Sequence, residues 1–208
     1  MIISNEHKFV FIQVPNTASS FLARLFENEF AGKPIMTKHA TYAEFLEAAT
    51  SEQASYRSII GKRHPLDMVT TRYARRIKRA GVTHASLEDT QADFERWFRE
   101  KFIADELRRL NPHIKNSYPI VEHVISQEHL VEDLNLVLEK LGLEAPDIKP
   151  WQRRTKGKLH DYTQYYSASF IPHALEKFRH EMDLLGYEVP AIWRAALGDR
   201  DGESAREG

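Results

Sequence analysis

The chain contains no cysteine among its 208 residues, which excludes disulfides, thiolate nucleophiles and cysteine-ligated zinc. An excess of charge of either sign is missing as well. The 29 basic and 30 acidic residues leave a formal net charge of -1, so the chain as a whole does not attract nucleic acid or an anionic membrane, and any basic site has to be local. No apolar run approaches the ~20 residues of a membrane-spanning helix, and the first residues lack the basic and apolar regions of a signal peptide. No membrane span and a cytoplasmic location are therefore expected. The pattern Gly-x-x-x-x-Gly-Lys-Ser/Thr is absent, which argues against a nucleotide kinase of the P-loop kind, and no internal repeat is present. The hydrophobic content of 42% and charged content of 28% suit one globular fold. A single domain over residues 1–197 is expected, followed by a disordered tail at 198–208 in which Ala205 is the sole apolar residue.

What is present is concentrated around one stretch, Lys8 to Leu22. Phe9 to Val14 is short, apolar, β-branched and aromatic without helical spacing, which predicts a buried strand in a parallel sheet. Pro15 ends it. Small or polar residues follow, then an amphipathic segment carrying Phe21, Leu22, Leu25 and Phe26. In a strand–loop–helix unit of this kind, small side chains let backbone N–H groups approach an anion, and Thr17, Ser19 and Ser20 bring hydroxyls to the positive end of the helix dipole. The same serines also suit plain helix capping, and the sequence leaves both readings open.

A second unit of the same kind runs from Tyr56 to Tyr73. Ser58 to Gly61 reads as a short strand, and Pro65 suits the first turn of a helix, where its missing N–H is not needed. Arg63 falls at the strand's C-terminal end, where ligands bind in open α/β sheets, and Thr71 lies two turns into the helix. The rest of that helix is basic through Arg79, a solvated face or an acidic-substrate surface. His39 stands in the loop before Thr41, which forms a capping box with Glu44. By itself it is a surface or capping histidine. Further on, Phe94, Trp97, Phe98, Ile103, Leu107 and Leu110 have helical spacing up to Pro112, and Ile120 to Ile125 reads as another strand. Leu130 to Leu141 predicts a helix closed by Gly142, and Ile171 to Leu185 one closed by Gly186. The aromatics at Trp97 and Phe98 and the tyrosines Tyr162, Tyr165 and Tyr166 suit a core. Gly81 to Gln91 and Asn111 to Tyr118 read as loops that can build an acceptor pocket. The alternation of strands and helices predicts an α/β fold of three layers, with a central parallel sheet flanked by helices.

Taken in order, Pro15-x-Thr-Ala-x-Ser20, Lys38-His39-Ala40, Arg63-x-Pro65 with Thr71 and Tyr73, Leu141-Gly142-Leu143 and the Phe178 to Tyr187 segment resemble the sulfotransferases that use 3′-phosphoadenosine-5′-phosphosulfate (PAPS), in particular the carbohydrate-sulfotransferase branch. The resemblance implies a P-loop-like fold and transfer of a sulfuryl group to a hydroxyl or amine of a glycan, lipid or small molecule. Pro15, Asn16, Thr17, Ala18, Ser19, Ser20 and Phe21 would hold the 5′-phosphosulfate, Arg63 and Thr71 the 3′-phosphate, and Arg153, Arg154 and Lys156 would add to the nucleotide site. His39 stands where related enzymes carry a candidate catalytic base. The scheme calls for no metal.

Two departures from the family pattern bear on activity. The family's loop carries lysine where this chain has Asn16, and glycine where it has Ser19. An amide donates a hydrogen bond but no charge to the leaving oxygen, and losing one such donor typically slows a reaction roughly 10²–10³-fold. Lys8, Lys38 and Lys62 are candidate substitutes, but Lys62 neighbours Arg63 on the strand and should point to the opposite side. The alternative is a catalytically impaired protein of this fold that still binds a 3′,5′-bisphosphate nucleotide.

Overall fold

The computed structural model describes residues 1–103, 111–148, 159 and 161–197. The chain divides into two compact units, Met1–Arg63 with Arg108–Arg154, and His64–Leu107 with Thr155–Gly208. Among the described residues no helix is long and apolar enough to cross a membrane.

The first unit holds a five-stranded sheet in the order β3-β1-β2-β4-β5. Its strands are β1 (Ile2–Ser4), β2 (Phe9–Ile12), β3 (Lys33–Pro34), β4 (Arg57–Lys62) and β5 (His123–Ser126). The central pairs β2–β4 and β4–β5 are parallel, with Phe11 opposite Ile59 and Ile60 opposite Val124. The other two pairs, β1 with β2 and β1 with β3, are antiparallel. The sheet is thus mixed rather than wholly parallel. The two extra strands are too short to show periodicity in the sequence.

Successive residues of a strand face opposite sides, and the two faces of this sheet have separate cores. Phe9, Phe11, Ile59 and Ile125 pack with Leu22 and Phe26 of α1 (Ser19–Glu29) and with Leu134 and Leu138 of α7 (Leu130–Lys140). Val10, Ile12 and Ile60 pack with Tyr42 and Phe45 of α2 (Tyr42–Ala48). Helices on both faces of a five-stranded sheet are compatible with a three-layer α/β architecture. The short helix α3 (Ser51–Ala54) precedes β4. Pro112 lies inside α6 (Asn111–Asn116) instead of ending the preceding helix. A proline fits a helix's first turn as well as the position after its end, so the residue alone does not decide between them. A 3₁₀ turn, Tyr118–Ile120, takes up the start of the segment read as a strand from Ile120, and β5 begins at His123.

The second unit is helical in its described part: α4 (Pro65–Ala80), α5 (Leu87–Ile103), α8 (Ile171–Leu185) and α9 (Ala191–Leu197). Helix α5 begins inside the segment read as a loop, and residues 104–110, with Leu107 and Leu110, lie outside the described residues. Its core is aromatic. Tyr73, Phe94, Trp97, Phe98, Tyr165, Tyr166, Phe170 and Trp193 form one buried cluster, which accounts for the aromatics at 97–98 and 165–166 as packing. The Tyr166 hydroxyl donates to the Leu66 carbonyl at 2.9 Å and that of Tyr73 to Asp93 at 2.7 Å. Within the basic run, Arg76 pairs with Asp93 at 3.0 Å. Arg75, Lys78 and Arg79 are exposed, as a solvated face would have them.

Gly61 of β4 has a specific reason to be glycine. A Cβ there would lie 2.8 Å from Thr17 Oγ1 and 3.1 Å from the Thr17 carbonyl oxygen, because the loop after β2 rides directly on β4. Gly61→Ala should lower the unfolding free energy by about 1–3 kcal/mol, read as a lower midpoint in urea at unchanged slope.

Candidate functional site

The loop between β2 and α1 is the centre of the site. Asn16 and Ala18 have φ of 66° and 60°, whereas Thr17 between them is not left-handed. Alternation of hand turns successive backbone N–H groups toward one side, the geometry of an anion-binding concavity. The left-handed region costs a residue with a Cβ about 1–2 kcal/mol, and asparagine tolerates it better than most. Tertiary contacts hold the loop in this form. Thr17 is fully buried and its hydroxyl donates to the Val14 carbonyl at 2.9 Å. The Gln13 amide donates to the Ser19 carbonyl at 3.4 Å.

Helix α1 starts directly after Ala18, whose carbonyl accepts from the Phe21 and Leu22 amides. Neither serine caps it: the N-cap is Ala18, with no side-chain cap bond, and the first turn holds no acidic residue. Its N–H groups and dipole are thus not answered by a side chain of the helix's own start. Ser19 is buried and Ser20 exposed. Phe21 is half-buried and packs against the α1–α7 core.

Arg63, the residue after β4, is 2% exposed. Its Nη1 donates to the Asn16 carbonyl at 3.0 Å, so the strand-end guanidinium and the loop meet. Burying a guanidinium is costly unless it is matched by hydrogen bonds and charge, and the Asn16 carbonyl provides one such bond. The last turn of β4 is held by the Tyr118 hydroxyl, which donates to the Gly61 carbonyl at 2.6 Å. Burial raises the Tyr118 pKa well beyond the ordinary phenol range, so the phenol stays a donor. Tyr118 thus supports β4, whereas the sequence placed it in a loop at the acceptor side.

The turn Thr37–Ala40, closed by the Ala40 amide on the Thr37 carbonyl at 3.2 Å, carries two adjacent side chains to the loop. His39 is exposed, and its Nδ1 lies 2.6 Å from the Gln13 carbonyl oxygen. A carbonyl only accepts, so Nδ1 carries a proton, which in the neutral tautomer leaves the lone pair on Nε2. Lys38 Nζ donates to Ser20 Oγ at 3.0 Å. The turn is anchored behind by the Thr41–Glu44 capping box of α2, in which the Thr41 amide donates to Glu44 at 2.6 Å. That backbone bond and the Thr41 hydroxyl lower the Glu44 pKa. A cavity of about 470 Å³ beside this turn is lined by Gln13, Ser20, Ala23, Arg24, Glu27, Met36 and Lys38. The contact between Lys38 and the start of α1 carries no local sequence signal, because the two residues stand 18 apart.

Other residues named from the sequence sit differently. Lys8 stands on the surface 3.6 Å from Glu52. Lys62 ends β4 in register with Ser126. Thr71 lies in the second unit, buried in α4, and its hydroxyl donates to the Asp67 carbonyl at 3.0 Å. Its proton is committed to its own helix, and it would have to turn to donate to a phosphate. Arg153, Arg154 and Lys156 lie outside the described residues.

Known proteins add nothing to this picture. No family model, curated protein or solved structure matches the chain.

One further group behind the site is titratable. His113 of α6 is buried, with Nδ1 3.3 Å from Ser117 Oγ, and that oxygen accepts from the Tyr42 amide at 2.9 Å. Burial first and the neighbouring His39 second push its pKa down to about 4. An unfolded histidine titrates near 6.5, so between these values the unfolded chain binds a proton that the folded one does not. The stabilisation is present above pH 6.5 and lost as the pH falls toward 4, with a total on the order of 3 kcal/mol. Urea unfolding across that range should show this decline, and His113→Gln should flatten it.

Proposed function

We propose that the protein is a PAPS-dependent sulfotransferase acting on a hydroxyl or amine of a glycan, lipid or small-molecule acceptor. The observation that carries this reading is the β2–α1 loop: alternating left-handed residues before a helix start without an acidic first turn, gripped by the buried Arg63 guanidinium at a parallel strand end. The donor set is one of N–H groups and cations, which suits a multiply charged phosphate ester. PAPS, when bound, supplies a sulfuryl group joined to a phosphate that can leave. In this reading the backbone N–H groups from Asn16 to Ser20 hold the 5′-phosphosulfate in a fixed line, and Arg63 adds charge on the 3′-phosphate side. His39 Nε2, oriented by the bond from Nδ1 to the Gln13 carbonyl, takes the acceptor's proton. A P-loop-like use of the strand–loop–helix unit belongs to the same proposal.

A second reading is favoured by Asn16, a neutral side chain where the resembled family has lysine. In that reading the chain binds a 3′,5′-bisphosphate nucleotide and transfers sulfate slowly or not at all.

Transfer of labelled sulfuryl from PAPS to a panel of desulfated glycosaminoglycans, glycolipids, phenols and amines tests the choice. The first reading predicts labelled product with the wild-type chain, a loss of roughly 10²–10⁴-fold with His39→Gln, and little change with Asn16→Lys. A sharp gain with Asn16→Lys moves the chain to the second reading, and no labelled product with either form contradicts the transferase assignment.

A further inference from the structure

We propose that Lys38 supplies, from the Thr37–Ala40 turn, the positive charge at the 5′-phosphate that Asn16 does not carry. The inference rests on the nucleotide reading of the loop and assigns a role within it. Lys38 Nζ lies 3.0 Å from the hydroxyl of Ser20, the second residue of α1. A lysine ammonium here stands at the positive end of the helix dipole, where a cation is electrostatically misplaced unless an anion joins it. Among the described residues no carboxylate forms an ion pair with Lys38, whereas Lys8 is paired with Glu52 at 3.6 Å.

Asn16 has φ 66°, a value that asparagine adopts more readily than lysine. Its carbonyl is held by Arg63 at 3.0 Å. Residue 16 thus suits the backbone geometry, and the cation is carried by the neighbouring turn. The two side chains of the turn bracket the loop, His39 on the Gln13 carbonyl at its entrance and Lys38 on Ser20 at its exit. An ammonium and an imidazole lone pair are thereby delivered on consecutive residues to the two ends of one anion cradle. Lys38 also lines the cavity of about 470 Å³ that it shares with Gln13, Ser20, Glu27 and Met36, so its side chain borders open space.

Calorimetric titration with 3′,5′-adenosine bisphosphate and with 3′-AMP, which lacks the 5′-phosphate, separates this role from a structural one. Lys38→Gln keeps an N–H donor for Ser20 and removes the charge. It should weaken the bisphosphate about tenfold, as loss of one charge-assisted contact does, and leave 3′-AMP unchanged. Adding Asn16→Lys to Lys38→Gln should restore most of the loss. Equal effects on both ligands, or none on either, would overturn the role of Lys38 while the wild-type chain still binds the bisphosphate. Failure of the wild-type chain to bind either ligand would overturn the nucleotide reading and this role with it.

Discussion

Thr17 can lie against β4 only because Gly61 has no side chain, and the geometry of the β2–α1 loop follows from that contact. With a Cβ at Gly61 placed 2.8 Å from Thr17 Oγ1, the threonine could not be buried, and its hydroxyl could not close the turn on the Val14 carbonyl. That closure sits between two left-handed residues, Asn16 and Ala18, whose conformational cost is met by the surrounding packing. The parallel pairing of β2 with β4 then carries the chain past Gly61 to Arg63, beside the Asn16 carbonyl. Two strand ends and one glycine thus bring a buried guanidinium to a loop of N–H groups.

The electrostatics are local in the same sense. A chain of formal net charge -1 has no long-range attraction for an anion. At the start of α1, however, the dipole, Lys38 and the strand-end Arg63 add without an acidic residue in the first turn. The turn that carries Lys38 and His39 is fixed by the Thr41–Glu44 box on one side and by the Gln13 carbonyl on the other. Two exposed side chains are therefore carried on a turn that hydrogen bonds tie down on both sides.

Much of the scaffold was legible because its signals are local. Phe9 to Ile12 is apolar on both faces and lies centrally in the sheet, and Pro65 opens α4. Gly142 and Gly186 take the left-handed closing positions of their helices, at φ 70° and 67°. The mixed character of the sheet was not legible, since β1 and β3 have three and two residues, too few for any periodicity. Pro112 reads equally as a stop or a start. In the site, the sequence brought forward the loop, Arg63 and His39 through residue type and order. It left serine capping of α1 open, which the structure replaces with an uncapped start at Ala18. It set Lys62 aside by strand alternation but could not choose between Lys8 and Lys38, because side-chain reach between distant segments is a tertiary property. Thr71 had the right residue type, but its proton is taken up by the Asp67 carbonyl one turn back.

The central claim is that the loop and Arg63 together hold a phosphorylated nucleotide. Calorimetric titration of the full chain with 3′,5′-adenosine bisphosphate, repeated on Arg63→Ala after its fold is verified by circular dichroism, tests it most directly. The account predicts one binding event for the wild-type chain and at least a tenfold loss for the variant, the worth of a charge-assisted contact. Absence of binding to the folded wild-type chain, or equal binding by the variant, would contradict it.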